Sequence, residues 1–444
     1  MGIKLLLVLL MLLWLAGQPW LPPAMHQFNG WSLYLQLLNG SGFIAIGLLS
    51  LTMVLGLRLP RLSQWLGGLD QAYQLHRRCA EWGIGLATGH YLLKLGAGLA
   101  RELDILEKGR GFGAMRNELF AGMRHLAKEL GEWGLYAGLL LLAIALLRII
   151  PYRRFAQSHR LLPAVYLLWA AHSLVFMPAP LWLSPPGMAL ALLLLAGCAA
   201  AGWSLAGRVG RNRQHAGIVT ALEDLGLQVL AVSLRLQPGW PGHDSGQFAL
   251  VTFDSREGAH PFTIASHWQG DGQLRFGIKA LGDYTRELPK RLKIGDPVWV
   301  EGPYGHFVFD DRRPRQIWIG GGIGITPIFC MAQALLRESR SFDMHYCARS
   351  KERAAFTAAL QTAPLNRHVH LHFDDEPSSL RLDIEALLHR QPHDTHLYVC
   401  GPQGFMDAVL QSARRLGWDD GRLHFEFFQA EPVLLDGDHS FEVK

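Results

Sequence analysis

Two stretches decide the fold: HRRCAEWGIGLATGH, from His76 to His90, and HRLLPAVYLLWAAH, from His159 to His172. Each begins and ends on histidine, the members lying 14 residues apart in the first and 13 in the second. A helix rises about 1.5 Å per residue, so each pair spans roughly 20 Å of a hydrocarbon core about 30 Å thick. A single histidine in such a helix reads as a hydrogen-bonded packing residue. Two pairs at matching depth read as ligands, because ionisable groups inside a bilayer are costly and kept for function. Side by side, the helices offer two stacked bis-histidine sites, His76 with His159 and His90 with His172. That arrangement suits two b-type haems (haem b) with imidazole at both axial positions.

Helical geometry leaves one irregularity. At 100° per residue, 14 residues end about 40° short of full turns and 13 end about 140° off, so a straight helix would not aim His159 and His172 at one partner. Pro163 lies between them and either kinks the helix or starts it, with His159 on the entry turn. Gly83, Gly85, Ala87 and Gly89 would let a flat macrocycle or a neighbouring helix approach the first stretch. His26 and His125 read as ordinary surface or packing histidines.

Outward from these stretches, Leu5–Leu57 and Leu161–Gly207 contain no Asp, Glu, Lys or Arg. Both runs exceed the roughly 20 residues of one span. Six spans are expected, at 3–22, 41–57, 78–98, 133–150, 161–178 and 187–206, the first an uncleaved helix and no signal peptide. Arg58, Arg61, Arg77 and Arg78 flank one end of the spans, as do Arg148, Arg153, Arg154 and Arg160, and Arg208, Arg211 and Arg213. The connection 101–132 balances six bases with six acids. The positive-inside rule then places both termini and the charged second half in the cytoplasm, as a multi-pass protein of the lipid bilayer. The net charge of +5 needs no nucleic-acid partner. Cys79, Cys198, Cys330, Cys347 and Cys400 form no CxxC pair, so neither a disulfide nor an iron–sulfur cluster is expected.

From Gly217 to Val300 short alternating apolar segments are punctuated by turn residues, which predicts a small antiparallel β-barrel. From Arg315 strands alternate with helices, which predicts a doubly wound parallel sheet. There Gln316-Ile-Trp-Ile runs into Gly320-Gly-Gly-Ile-Gly-Ile-Thr-Pro327. Such glycines let a backbone approach a pyrophosphate at a helix N-terminus, although a tight structural turn explains them equally well in isolation. The fold class expected is therefore an all-α six-helix membrane haem bundle plus a reductase module. The domains expected are 1–210 (di-haem), 214–312 (β-barrel), 313–430 (α/β) and 431–444 (C-terminal extension).

Five motifs, the glycine run among them, occur in order: His260-Pro-Phe-Thr-Ile-Ala-Ser266, Lys279-Ala-Leu-Gly-Asp-Tyr-Thr285, Gly302-Pro-Tyr-Gly305, Gly320 to Pro327, and Cys400-Gly-Pro-Gln-Gly-Phe-Met406. Together with the histidine spacings they resemble the NADPH oxidase and ferric reductase branch of the ferredoxin–NADP reductase superfamily, in its prokaryotic form. The resemblance implies FAD on the barrel, NAD(P)H on the parallel sheet, two haems between the paired histidines, and residence in a bacterial inner membrane. By the same resemblance His260, Pro261, Phe262, Thr263 and Ser266 hold the flavin, and Gly282, Asp283, Tyr284 and Thr285 lie by its pyrophosphate. Gly320, Gly321, Gly322, Gly324, Thr326 and Pro327 cradle the dinucleotide. Cys400, with Gly401 and Pro402, flanks the nicotinamide. Phe428 stacks on the flavin, with Phe427 and Phe441 as rivals because the chain continues to Lys444.

No acid directly follows the strand Met344–Cys347, and Arg349, Ser350 and Arg353 are placed to meet a 2′-phosphate, which favours NADPH while NADH stays open. The implied activity moves electrons from NAD(P)H through FAD and the haems to an acceptor across the membrane. Oxygen, giving superoxide, is the first expectation. A ferric chelate or an extracytoplasmic acceptor protein is the alternative, and a haem sensor or carrier the non-enzymatic one.

Overall fold

The computed structural model describes residues 2–109, 118–146, 152–226, 228–309, 315–340, 342–351, 354–375 and 381–426, and the chain divides into two compact units, Met1–Asn212 and Arg213–Lys444. The first unit is helical: α1 Ile3–Ala16, α2 Gly30–Leu55, α3 Pro60–Trp65, α4 Leu69–Glu102, α5 Arg124–Leu146, α6 Tyr152–His159, α7 Leu162–Phe176, α8 Ala179–Trp182 and α9 Pro185–Leu205.

Three segments among the described residues, Ile3–Trp20, Gly30–Leu55 and Pro185–Leu205, are long and apolar enough to cross a membrane. α9 is apolar all round and turns Leu192 and Leu195 outward, 69% and 66% exposed, as a lipid-facing helix does. α4 and α5 carry charged residues, and α7 has 15 residues. α2 starts at Gly30, well before the expected 41. Asn29 caps it by accepting the Ser32 N–H at 2.8 Å, and Gln36 donates to Gln18 Oε1 at 2.7 Å and to the Met25 carbonyl at 3.2 Å. These polar side chains are satisfied within the fold.

Pro163 starts α7. The chain leaves helical pairing at Arg160 and Leu161, and His159 is the last residue of α6. Tyr166 of α7 is buried and locks three helices together. Its hydroxyl meets Ser50 Oγ of α2 at 2.8 Å and the Leu194 carbonyl of α9 at 3.3 Å. A Cβ at Gly197 of α9 would collide with that hydroxyl, so glycine is required there.

The second unit holds two sheets. The first strands are β1 Gln214–Asp224, β2 Val229–Leu236, β3 Phe248–Thr252, β4 His260–Thr263, β5 Gln273–Lys279 and β6 Pro297–Tyr304, with helix α10 Asp283–Arg291 before β6. They pair antiparallel in the order β4-β3-β6-β1-β2-β5. An antiparallel bridge from Ile264 to Phe276 joins the two edges, closing the sheet around Val232, Leu234, Ile264, Phe276 and Val300.

The next elements are β7 Arg315–Gly321, α11 Ile325–Arg337, β8 Asp343–Ala348, α12 Thr357–Leu360, β9 Val369–Phe373, α13 Ile384–His389, β10 Thr395–Cys400, α14 Gln403–Arg415 and β11 Leu423–Glu426. Their strands are parallel in the order β11-β10-β7-β8-β9. The order reverses between β7 and β10. One cluster, with Trp318, Ile328 and Tyr346, covers one face of this sheet, and another, with Ile319, Val399 and Val409, covers the other. Phe427, Phe428, Phe441, Arg353 and the extension 431–444 lie outside the described residues.

Candidate functional site

The helical unit brings its four histidines together in the expected pairs. The ring centres of His76 and His159 are 6.1 Å apart, and those of His90 and His172 are 6.2 Å apart. Two metal–imidazole bonds of about 2 Å, plus about 1 Å from each nitrogen to its ring centre, sum to the same figure. Three rings are oriented by backbone. His76 Nδ1–H donates to the Thr52 carbonyl, His90 Nδ1–H to the Leu38 carbonyl and His172 Nδ1–H to the Ala127 carbonyl, each at 2.9 Å. A carbonyl only accepts, so Nδ1 carries the proton and Nε2 keeps a lone pair for a metal. His159 Nδ1 is buried with no hydrogen-bond partner among the described residues.

A cavity of about 610 Å³ opens around His90 and His172, within the range of ligand sites. Lys94, Lys108, Arg124 and Lys128 line it along with Glu132, which pairs with Lys94. Gly131, Gly134 and Gly138 form a stripe on α5 where a Cβ would run into the ring of His172 or Trp169. That stripe was readable from its helical spacing, and Lys94 lies one turn beyond His90. The carbonyl partners carry no sequence signal. Of the residues expected to admit a flat group, Gly83 packs against Leu49, Gly85 and Gly89 face open space, and Ala87 lines the cavity.

In the second unit, His260-Pro-Phe-Thr263 is a strand. It pairs with β3, Pro261 opposite Leu250 and Thr263 opposite Phe248. The His260 ring stacks on Tyr284 at 4.5 Å and 16°. Burial pulls the His260 imidazole down to about 4, so it is neutral at physiological pH. Burial raises the Tyr284 phenol, and its hydroxyl has no hydrogen-bond partner among the described residues. An orphaned buried hydroxyl beside a flat stack fits a polar aromatic ligand. Ser266 Oγ accepts the Arg275 N–H at 3.0 Å, and its carbonyl accepts from His243 Nε2–H at 2.8 Å, so it braces the closing edge of the sheet. Thr285 Oγ1 accepts the amides of Leu281 and Gly282 at 2.9 and 3.0 Å and thereby shapes the start of α10 at Asp283.

The loops after β7 and β10 meet at the reversal of strand order, where doubly wound sheets bind ligands. Most of the glycines there serve that meeting. A Cβ at Gly320 would meet Ile325, one at Gly321 Phe405, one at Gly324 the Cys400 backbone, and one at Gly401 the Gly321 backbone. Gly322, at φ +55°, is the one of the run facing open space. Thr326 donates to the Ile323 carbonyl at 2.8 Å, and Pro327 sits in the first turn of α11, where its missing N–H is harmless. Cys400 ends β10, fully buried, its thiol pushed well up by burial and by the Glu426 carboxylate. Pro402 caps the start of α14. Arg349 and Ser350 follow the end of β8, the strand beside β7. A buried group that the sequence did not flag is Glu301, which accepts from Tyr304 and lies 3.7 Å from Arg213.

A closed antiparallel sheet followed by a doubly wound parallel sheet, behind an apolar helical unit with paired histidines, defines a membrane-associated flavin–nucleotide reductase class. Comparison with known proteins gives the particulars. Residues 41–170 match the family described as ferric reductase like transmembrane component, and 218–308 an FAD-binding domain. Residues 301–423 match the N-terminal domain of dimethylamine monooxygenase subunit DmmA-like proteins. The chain thus carries a stretch similar to ferric-reductase-like transmembrane components and, after it, one similar to FAD-binding domains.

Among curated proteins it is 44% identical over 160 residues to vanillate O-demethylase oxidoreductase of Pseudomonas sp. (strain HR199 / DSM 7063), covering 36% of this chain and 50% of that one. It is 34% identical over 152 residues to the carnitine monooxygenase reductase subunit of Escherichia coli (strain K12), covering 34% and 47%. The chain spans about half the length of the curated relatives it matches. Among solved structures, phthalate dioxygenase reductase is 25% identical at a TM-score of 0.45, over 48% of this chain and 68% of that one.

Proposed function

We propose that this protein is an NAD(P)H-dependent electron-transfer enzyme that carries electrons from a cytosolic flavin module across the membrane through a six-span di-haem bundle to a separate acceptor. The observation that carries this reading is the pair of 6.1 and 6.2 Å histidine gaps, three of whose four rings are fixed by backbone carbonyls. When bound, FAD would take a hydride from the nicotinamide and release single electrons, and two haems would relay them.

The chain's own residues supply position. His76 and His159 would hold the inner haem, and His90 and His172 the outer one. His90 and His172 would both be taken up in holding the outer haem, so these residues would leave the acceptor no ligand position and the haem would supply electron transfer alone. Lys94, Arg124 and Lys128 at the outer cavity suit the two carboxylates of a haem. His260 and Tyr284 offer a neutral stacked surface for the flavin beside Thr263, and Gly322 is the position where a phosphate can approach backbone. Cys400, held as the neutral thiol, does not compete as a nucleophile.

Relatives named as reductase components support delivery to a partner. They give no support to superoxide formation, the first expectation from sequence. The test is anaerobic reduction of the purified, flavin-loaded protein. NADPH and dithionite should both reduce two low-spin haems per chain in wild type. His90→Ala should lose the outer haem and keep its flavin. Two haems retained in that variant would overturn the ligand assignment. Superoxide formed at the rate of NADPH consumption would restore oxygen as acceptor.

A further inference from the structure

The edge of the parallel sheet carries a cluster that neither site uses. Asp343 opens β8, His345 follows two residues later on the same face, and His370 on β9 is the direct cross-strand partner of His345. His345 Nε2 lies 3.3 Å from Asp343 Oδ1, and His370 Nε2 lies 3.2 Å from the same oxygen. The three atoms are within 4.8 Å of one another. His345 is 7% exposed. Asp343 Oδ1 and His345 Nε2 are both buried atoms and face each other at that short separation. Two buried polar atoms this close, with a third ligand atom converging from the next strand, suit a cation shared among them.

The geometry matches one. Bonds of about 2.0–2.2 Å from a tetrahedral ion to nitrogen and oxygen set its ligands about 3.3 Å apart. The imidazoles of His345 and His370 lie nearly parallel at 4.7 Å and 18°, both Nε2 atoms converging on the one carboxylate oxygen. His345 Nδ1 lies 3.0 Å from His372 Nε2. With Nδ1–H donating to His372, His345 Nε2 is left as a lone pair, the outer-sphere support typical of a metal-bound histidine. Half-exposed Asp343 and exposed His370 leave an entry path.

We propose that Asp343, His345 and His370 form a binding site for a borderline divalent transition ion of the zinc type, with His372 orienting His345 and a fourth position open to solvent. Two imidazoles and one carboxylate suit Zn²⁺ over Mg²⁺ or Ca²⁺, which take oxygen ligands. The ion would clip edge strand β9 to β8. Asp343 begins β8 while the nucleotide loops follow the strand ends, about 16 Å further along. The site is therefore structural or regulatory, outside the path of the electrons.

The test uses the full chain in detergent, stripped with chelator and offered Zn²⁺ alone. Wild type and a His393→Ala control should each retain one zinc ion per chain after gel filtration, by elemental analysis, while Asp343→Asn and His370→Ala should retain none. Zinc should raise the thermal midpoint of wild type and leave both variants unmoved. X-ray absorption at the zinc edge should show nitrogen and oxygen ligands with an imidazole signature. His370 is exposed, so its replacement leaves the core intact, and retained flavin verifies folding. Equal zinc in wild type and both variants, no zinc in wild type, or sulfur ligation would each overturn the proposal.

Discussion

Gly131 shows how much a single hydrogen atom decides. The α5 backbone lies so close to His172 that a Cβ at 131 would enter the imidazole, and the same helix supplies the Ala127 carbonyl that orients that ring. Gly131→Ala is expected to destabilise the helical unit by about 1–3 kcal/mol, the usual range for overpacking. Gly122→Ala, with nothing within 4 Å of its Cβ, should stay within about 0.5 kcal/mol. Chemical or thermal unfolding of the two variants checks the difference.

His260 gives a residue-scale pH dependence. Burial lowers its imidazole to about 4 from the ordinary 6.5. Between those values the unfolded chain binds a proton that the folded one does not, so stability falls as pH drops through this window and is unaffected by this group above it. The thermal midpoint of the reductase unit should fall between about pH 6.5 and 4, and His260→Gln should flatten that fall. An unchanged slope in the variant would assign the acid sensitivity elsewhere.

At the scale of elements, the turn after β8 is the one proposed to set nucleotide choice. Arg349 and Ser350 follow that strand, and no acid directly follows it to hold a ribose 2′-hydroxyl. Arg349→Ala is expected to lower kcat/KM for NADPH by tenfold or more and leave NADH within about twofold, because a guanidinium binds a phosphate bidentately. A wild-type preference for NADH, or an unchanged ratio in the variant, would rule out this role. Elements also show where sequence was legible. Strand and helix periods placed the closed antiparallel sheet and the parallel sheet, and Pro163 marked the break that lets His159 and His172 face their partners. The start of α2 was not legible, because the hydrogen bonds that satisfy Gln36 and Asn39 inside the fold carry no sequence signal. Nor was the use of the glycines at 320–324. Their spacing is the same whether they admit a phosphate or a neighbouring loop, and the contact with Cys400 and Gly401 joins residues some 80 positions apart.

At the scale of the molecule, the chain divides into two compact units, and the proposed chain of carriers would be shared between them. The helical unit was legible through charge-free runs and repeated histidines, since both follow from the energetics of a bilayer. The cluster of Asp343, His345 and His370 was not, because its members meet through strand register. The curated relatives match about a third of this chain, and residues 41–170 match a ferric-reductase-like transmembrane component besides.

The joint of Tyr166, Ser50 and Gly197 has a consequence for that route. Tyr166 lies on α7 between His159 and His172, seven residues from one and six from the other, and its hydroxyl pins α7 to α2 and α9. For the electron path proposed above, it works as a spacer of fixed length. Tunnelling falls off steeply with separation, so a bundle that breathed at this level would conduct erratically, and one pinned there passes charge at a steady rate.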